Sequence, residues 1–217
     1  MEWAPISKPR GSLLREPNLA DYDGTRTGFD WSQAFAQLAG LPGGGLNIAH
    51  ECLYRHLDSP RAGQVAVRFL ALSRPPINLT YAQLAGQARR CAAVLADLDV
   101  QPGERVASLL GREPQLHATV FGTLTLGAVF CPLFSAFGPE PIKARLGLGG
   151  VRVLVTTDLL YRRKVAPIRS QLPELRHVLV VRTPGIELPP DTLDFDALTA
   201  ASAGAVETAR TQPEDYA

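Results

Sequence analysis

Cysteine is scarce. Cys52, Cys91 and Cys131 form an odd, widely spaced set with no C-x-x-C pair and no neighbouring histidine pair, which argues against both a disulfide framework and a zinc site. Three small buried apolar side chains in a reducing, cytoplasmic compartment are expected instead. Charge of one sign is lacking too, since 22 Lys and Arg face 21 Asp and Glu for a formal net charge of +1. No overall field recruits nucleic acid or an acidic membrane, so neither is an expected partner and a charged ligand must be met by local groups. The opening "MEWAPISKPRGSLLREP" has proline and charge where a secretory signal needs an apolar run, so no export signal is expected.

The nucleotide and hydrolase signatures are missing as well. There is no G-x-x-x-x-G-K-[ST], no G-x-G-x-x-G between a strand and a helix, and no G-x-S-x-G. "GLGG" at 147–150 precedes a strand and relieves a tight connection. His50 and His56 stand six apart, poor spacing for one metal on a helix, and His117 opens an apolar helix. No metal site is expected, and the acidic pairs Asp194/Asp196 and Glu214/Asp215 sit in polar segments as solvated charge.

What remains is a pattern of short apolar runs alternating with helical periodicity. Residues 1–45, rich in Gly, Pro and polar side chains, suggest an extended arm with one short helix at about 31–38. Residues 46–217 are expected to form one α/β domain. Ile48, Cys52, Leu53 and His56 recur at helical spacing, and "QVAVRFLAL" predicts a strand with Val65, Val67 and Phe69 inward, ending in a turn at Pro75 and Pro76. Thr80 and Gln83 make a capping box for a helix whose apolar stripe is Leu84, Ala88, Cys91, Leu95 and Leu98. "RVASLLG", "AVFCPLF", "VRVLVTT" and "HVLVV" are strands; Pro114 starts one intervening helix and "GPEPIKARL" makes another. The uncharged run 115–139 splits into a helix and a buried strand rather than a membrane span, because it carries Thr119, Thr123, Thr125, three Gly and two Pro. The expected fold is therefore α/β, a mostly parallel sheet with helices on both faces. Past Arg182 the chain loosens, with one surface helix in "DTLDFDALTAA" and a polar remainder.

In order, "LTYAQL", "QPGERVASLL", "TLTLGAVFCPLFSAFGPEPIKARL" and "VRVLVTTDLL" followed by "LPELRHVLVV" resemble the N-terminal part of the large domain of AMP-forming acyl-CoA synthetases, within the adenylate-forming superfamily. The likeness covers 46–181 and is closest to acetyl-CoA synthetase-like enzymes. It implies a ligase that activates acetate or a short-chain carboxylate with ATP and Mg to acyl-AMP, then transfers the acyl group to CoA. In such enzymes a segment like "TQPEDYA" is followed by a strand and a Ser/Thr/Gly-rich loop closing in Lys that holds the ATP phosphates. That loop is not in this sequence, so the 217 residues are expected to be an N-terminal piece, cut before the ATP-phosphate loop and inactive alone. No catalytic residue is assigned to it, and no cofactor is expected to bind it tightly.

The resemblance further implies that Phe134, Ser135 and Ala136 line the CoA pantetheine arm. It also implies that Arg162, with Arg163 or Lys164, meets a CoA phosphate, although "YRRK" is one residue shorter than the family pattern and lacks its glycine. Composition alone makes "YRRK" a solvated helix face. Two other readings remain open: a segment of a different adenylating enzyme, or a non-catalytic scaffold retaining only the α/β core. An α/β sheet cut from its neighbours is also expected to self-associate through the exposed face.

Overall fold

The computed structural model describes residues 14, 17–71 and 74–217. The chain divides into two compact units, 1–39 and 40–217. In the first, two short helices, α1 (Tyr22–Gly28) and α2 (Trp31–Phe35), are each capped by an aspartate: Asp21 accepts from the Gly24 amide and Asp30 from the Ser32 amide. α1 was not anticipated, because its turn-prone "YDGTRTG" carries no apolar stripe, and α2 stops three residues before the expected end at 38.

The second unit begins with α3 (Ile48–Cys52) and a 3₁₀ turn, Tyr54–His56. Here the expected apolar face is corrected. Ile48 and Cys52 are exposed, while Ala49, Leu53 and Tyr54 are buried, because the helix breaks after one turn and rotates the following residues inward. Of the three cysteines only Cys91 is fully buried; Cys131 is half-buried.

β1 (Val65–Ala71) and β2 (Arg74–Thr80) form an antiparallel hairpin separate from the main sheet. The expected turn at Pro75 and Pro76 is thus a strand. A two-stranded hairpin has free edges, so prolines that cannot donate to a ladder are tolerated there. Val67 and Phe69 are half-buried, but Val65 is exposed.

The main sheet has five parallel strands in the order β4-β3-β5-β6-β7, namely β3 (Arg105–Leu109), β4 (Val129–Pro132), β5 (Val153–Thr157), β6 (His177–Val181) and β7 (Leu193–Asp194). Side chains alternate between two cores. Val106, Val153, Val155 and Leu179 pack on one face with Cys91, Leu95, Ala118 and Phe195. Ala107, Leu154, Val178 and Val180 pack on the other with Ile142, Leu146, Tyr161 and Val165.

The first face is covered by α4 (Tyr81–Asp97), α5 (Pro114–Thr125) and α8 (Phe195–Ala201), the second by α6 (Pro139–Leu148) and the turns after β5. α4 carries the expected capping box, Thr80 and Gln83 bonding reciprocally at 3.2 and 2.9 Å. α4 and α5 approach closely at Gly122, where a Cβ would stand 2.9 Å from Cys91 Sγ.

The end of the chain is more integrated than its polarity suggests. "DTLDFDALTAA" supplies the edge strand β7 and then α8, whose Phe195 is buried in the core rather than lying on the surface. Beyond it the chain returns along the first face: the Ala209 amide donates to Thr125 O at 2.8 Å, and Leu46 and Thr211 exchange two backbone bonds. These contacts tie both ends of 40–217 together.

Candidate functional site

In a parallel sheet, ligands are met where loops leave the carboxyl ends of strands, above all where neighbouring strands connect in opposite directions. That point lies between β3 and β5: β3 leads outward through α5 to β4, whereas β5 leads through α7 (Asp158–Leu160) toward β6. The loop after β4, residues 133–138, and the basic turn after α7, Tyr161–Val165, both belong to this end of the sheet.

The two are joined by a specific contact. Lys164 Nζ donates to the Ser135 carbonyl at 2.5 Å in a half-buried setting. "YRRK" adopts a π-helical turn, whose extra residue per turn breaks the regular helix face. Tyr161 and Val165 are buried as anchors, while Arg162 and Arg163 are exposed and Lys164 half-buried. The solvated face read from composition therefore holds for the two arginines but not for Lys164.

Loop 133–138 is held from beneath by buried Leu133. Phe134 is 65% exposed and meets Phe137 edge to face at 5.6 Å, and Arg145 of α6 lies over the Phe137 ring at 4.4 Å. Ser135 is half-buried and Ala136 exposed. The result is an exposed aromatic surface flanked by the cations of Lys164 and Arg145, able to hold an apolar chain that ends in an anion.

Arg162 is placed elsewhere. Its Nη2 donates to Glu187 O at 2.6 Å, and it lines an open groove of about 680 Å³ with Arg169, Ser170, Pro189, Pro190 and Asp191. Of the six predicted residues, Phe134, Ser135, Ala136 and Lys164 are thus brought together, Arg162 faces the neighbouring groove, and Arg163 has no polar partner among the described residues.

Two carboxylates at the same end of the sheet escaped sequence reasoning. Asp158, at the end of β5, is only 6% exposed and accepts from the Thr183 hydroxyl at 2.9 Å. Glu113, which precedes α5, buries an Oε2 without a hydrogen-bond partner among the described residues. Neither stands in a motif, but Asp158 directly follows β5 and Glu113 closes the short loop after β3, and that position past a strand exit is the signal that could have found them. Burial also pushes the Cys131 thiol up, making it a poor nucleophile at neutral pH. Among the described residues no group of three or more His, Cys, Asp or Glu side chains could hold a metal ion. No helix among them is long and apolar enough to cross a membrane.

A parallel sheet covered by helices on both faces, with cationic and aromatic side chains at its carboxyl end, defines an α/β domain, and the comparisons specify its class. Residues 59–217 match the family model described as AMP-binding enzyme, and the chain belongs to that family. It is 34% identical over 165 residues to an acetyl-coenzyme A synthetase of Bacillus subtilis, covering 76% of this chain and 28% of that protein. It is 31% identical over 212 residues to one from Mycobacterium tuberculosis, covering 86% and 32%. Among solved structures, a Brucella canis acyl-CoA synthetase superposes with a TM-score of 0.78 at 33% identity, over 89% of this chain and 34% of that one. An acetoacetyl-CoA synthetase from Streptomyces lividans gives 0.68 at 31% identity, over 78% and 27%. The chain thus spans about a third or less of the length of these relatives.

Proposed function

We propose that this chain supplies the CoA-facing wall of an acetate or short-chain acyl-CoA ligase, and that the 217 residues are catalytically silent by themselves. The observation that carries it is the bond from Lys164 to Ser135, which sets a cation against an exposed aromatic loop at the sheet's ligand-binding end. Pantetheine, a thin amide chain, suits the surface of Phe134, Ser135 and Ala136. Lys164 acts as a point charge for a CoA phosphate, with Arg162 and Arg163 adding charge along the adjoining rim.

In the whole ligase, carboxylate oxygen attacks the ATP α-phosphorus and releases pyrophosphate; the CoA thiol then attacks the acyl carbon and releases AMP. Magnesium would offset charge on the transferring phosphoryl group. The described residues contain no metal-holding cluster, so no step through the ion is assigned to them. The role of this chain in that reaction is to orient CoA.

Calorimetric titration of the 217-residue chain with CoA, ATP and both tests the proposal. Weak CoA binding, lost in an Arg162→Ala/Lys164→Ala variant, is expected, with no ATP binding and no pyrophosphate release from ATP and acetate. CoA binding unchanged in the variant would remove the assigned site, and pyrophosphate release would refute silence.

A further inference from the structure

A second, smaller cavity lies on the sheet face covered by α4, α5 and α8, lined by none of the residues assigned to CoA. It encloses about 190 Å³ and is lined by Gln87 and Arg90 of α4, Pro114, Gln115 and Ala118 of α5, and Phe195, Asp196 and Thr199 of α8. Ala118 and Phe195 are buried and make an apolar floor. The volume falls below the range typical of drug-sized ligands and limits the occupant to a small molecule.

The polar groups around this floor carry opposite charges that do not neutralise one another. Neither Arg90 nor Asp196 takes part in an ion pair among the described residues. Arg90 is half-buried and its stem is pinned: a Cβ on Gly204, a residue at φ +68°, would come within 3.2 Å of Arg90 Cγ. Glycine at 204 lets the returning chain lie directly over that side chain. On the cavity's α5 and α8 lining, Gln115 Nε2 donates to Oδ1 of the exposed Asp196 at 3.0 Å, which leaves Asp196 Oδ2 and Gln115 Oε1 as acceptors. Arg90, whose guanidinium lies along α4 beside Gly86, and a carboxylate held by an amide on the other helices line one cavity with an apolar floor, an arrangement that matches a small molecule bearing both charges.

We infer that this cavity binds a small α-amino acid. Its carboxylate takes the Arg90 guanidinium with help from the Gln87 amide, its ammonium takes Asp196 and Gln115, and its side chain rests on Phe195, Pro114 and Ala118. A bound zwitterion bridges three helices and clamps α8 onto α4 and α5. Its lining shares no residue with the proposed CoA wall, so either reading can fail without the other.

Titration calorimetry of the full 217-residue chain with glycine, alanine, serine and valine, beside acetate and methylamine, tests the assignment. The expected result is saturable binding of at least one amino acid, at least tenfold tighter than either single-charge control. Arg90→Gln and Asp196→Asn should each weaken it at least tenfold, and Arg90→Lys should restore part. If a variant fails to fold, the Gln87 and Gln115 side-chain amide NMR signals of the unaltered protein must shift on adding the amino acid. Acetate binding as tightly as the amino acids would make this a plain anion site and overturn the proposal. So would an absence of saturable binding across the series, or amide signals that stay in place.

Discussion

At the residue scale, the three cysteines show how environment separates identical side chains. Burial pushes the Cys91 thiol up to about 12 from 9.0, with a weaker opposing effect from a Thr119 hydrogen bond. Cys52 is exposed, and desolvation together with the Glu51 carboxylate raises its pKa more modestly. Native-state alkylation at pH 8 followed by mass spectrometry should modify Cys52 first and leave Cys91 untouched until unfolding; early labelling of Cys91 would contradict the packing of α4 on α5. The same shift has a sign in stability. The unfolded thiol ionises near 9.0 and the folded one near 12, so the stabilisation it provides is whole below pH 9.0 and is lost as pH rises toward about 12. Between those values this one group should lower unfolding free energy by about 1.4 kcal/mol per pH unit. Denaturant titrations across that window in Cys91→Ala should show a shallower slope, whatever the absolute cost of the truncation.

At the element scale, α4 is the helix whose start is most fully written into its own residues. Thr80 and Gln83 satisfy two backbone amides that would otherwise lack partners at the helix N-terminus. Thr80→Ala removes one of these bonds and frees the Gln83 side chain, at a cost of about 1 kcal/mol. A lower urea midpoint with an unchanged slope is the expected reading; an unaltered midpoint would mean that packing of Leu84, Cys91 and Leu95 alone holds the helix. The π-helical turn at Tyr161–Val165 is the opposite case. Nothing in "YRRKV" announces it. Burial of Tyr161 and Val165 against the second core sets how the three cations between them are displayed.

For the whole molecule, the unpaired surfaces decide behaviour. β4 is an edge of the main sheet with a partner on one side only among the described residues, and the separate hairpin exposes Val65, Leu70 and Ile77. Free edges and grouped apolar side chains favour contacts between copies. Sedimentation velocity should therefore show the mean mass of the 217-residue chain rising with concentration. A single monomeric boundary over a hundredfold concentration range would show that these surfaces are too polar or too dispersed to pair.

What the sequence determined by itself is the parallel α/β sheet, the starts of α4 and α5, the tight connection at 147–150 and the likeness to acyl-CoA synthetases. These rest on local signals: alternating apolar runs, Thr80 and Gln83, Pro114, and glycines where the chain must turn. Only the tertiary structure decided that Pro75 and Pro76 lie in a hairpin strand, that Phe195 belongs to the core, and that Lys164 reaches Ser135 while Arg162 turns to Glu187. The cavity that Arg90 and Asp196 help to line was equally invisible in order of residues. The physical reason is shared: each of these facts depends on groups far apart in the chain meeting in space, and periodicity reports which face a residue presents but not what stands opposite it.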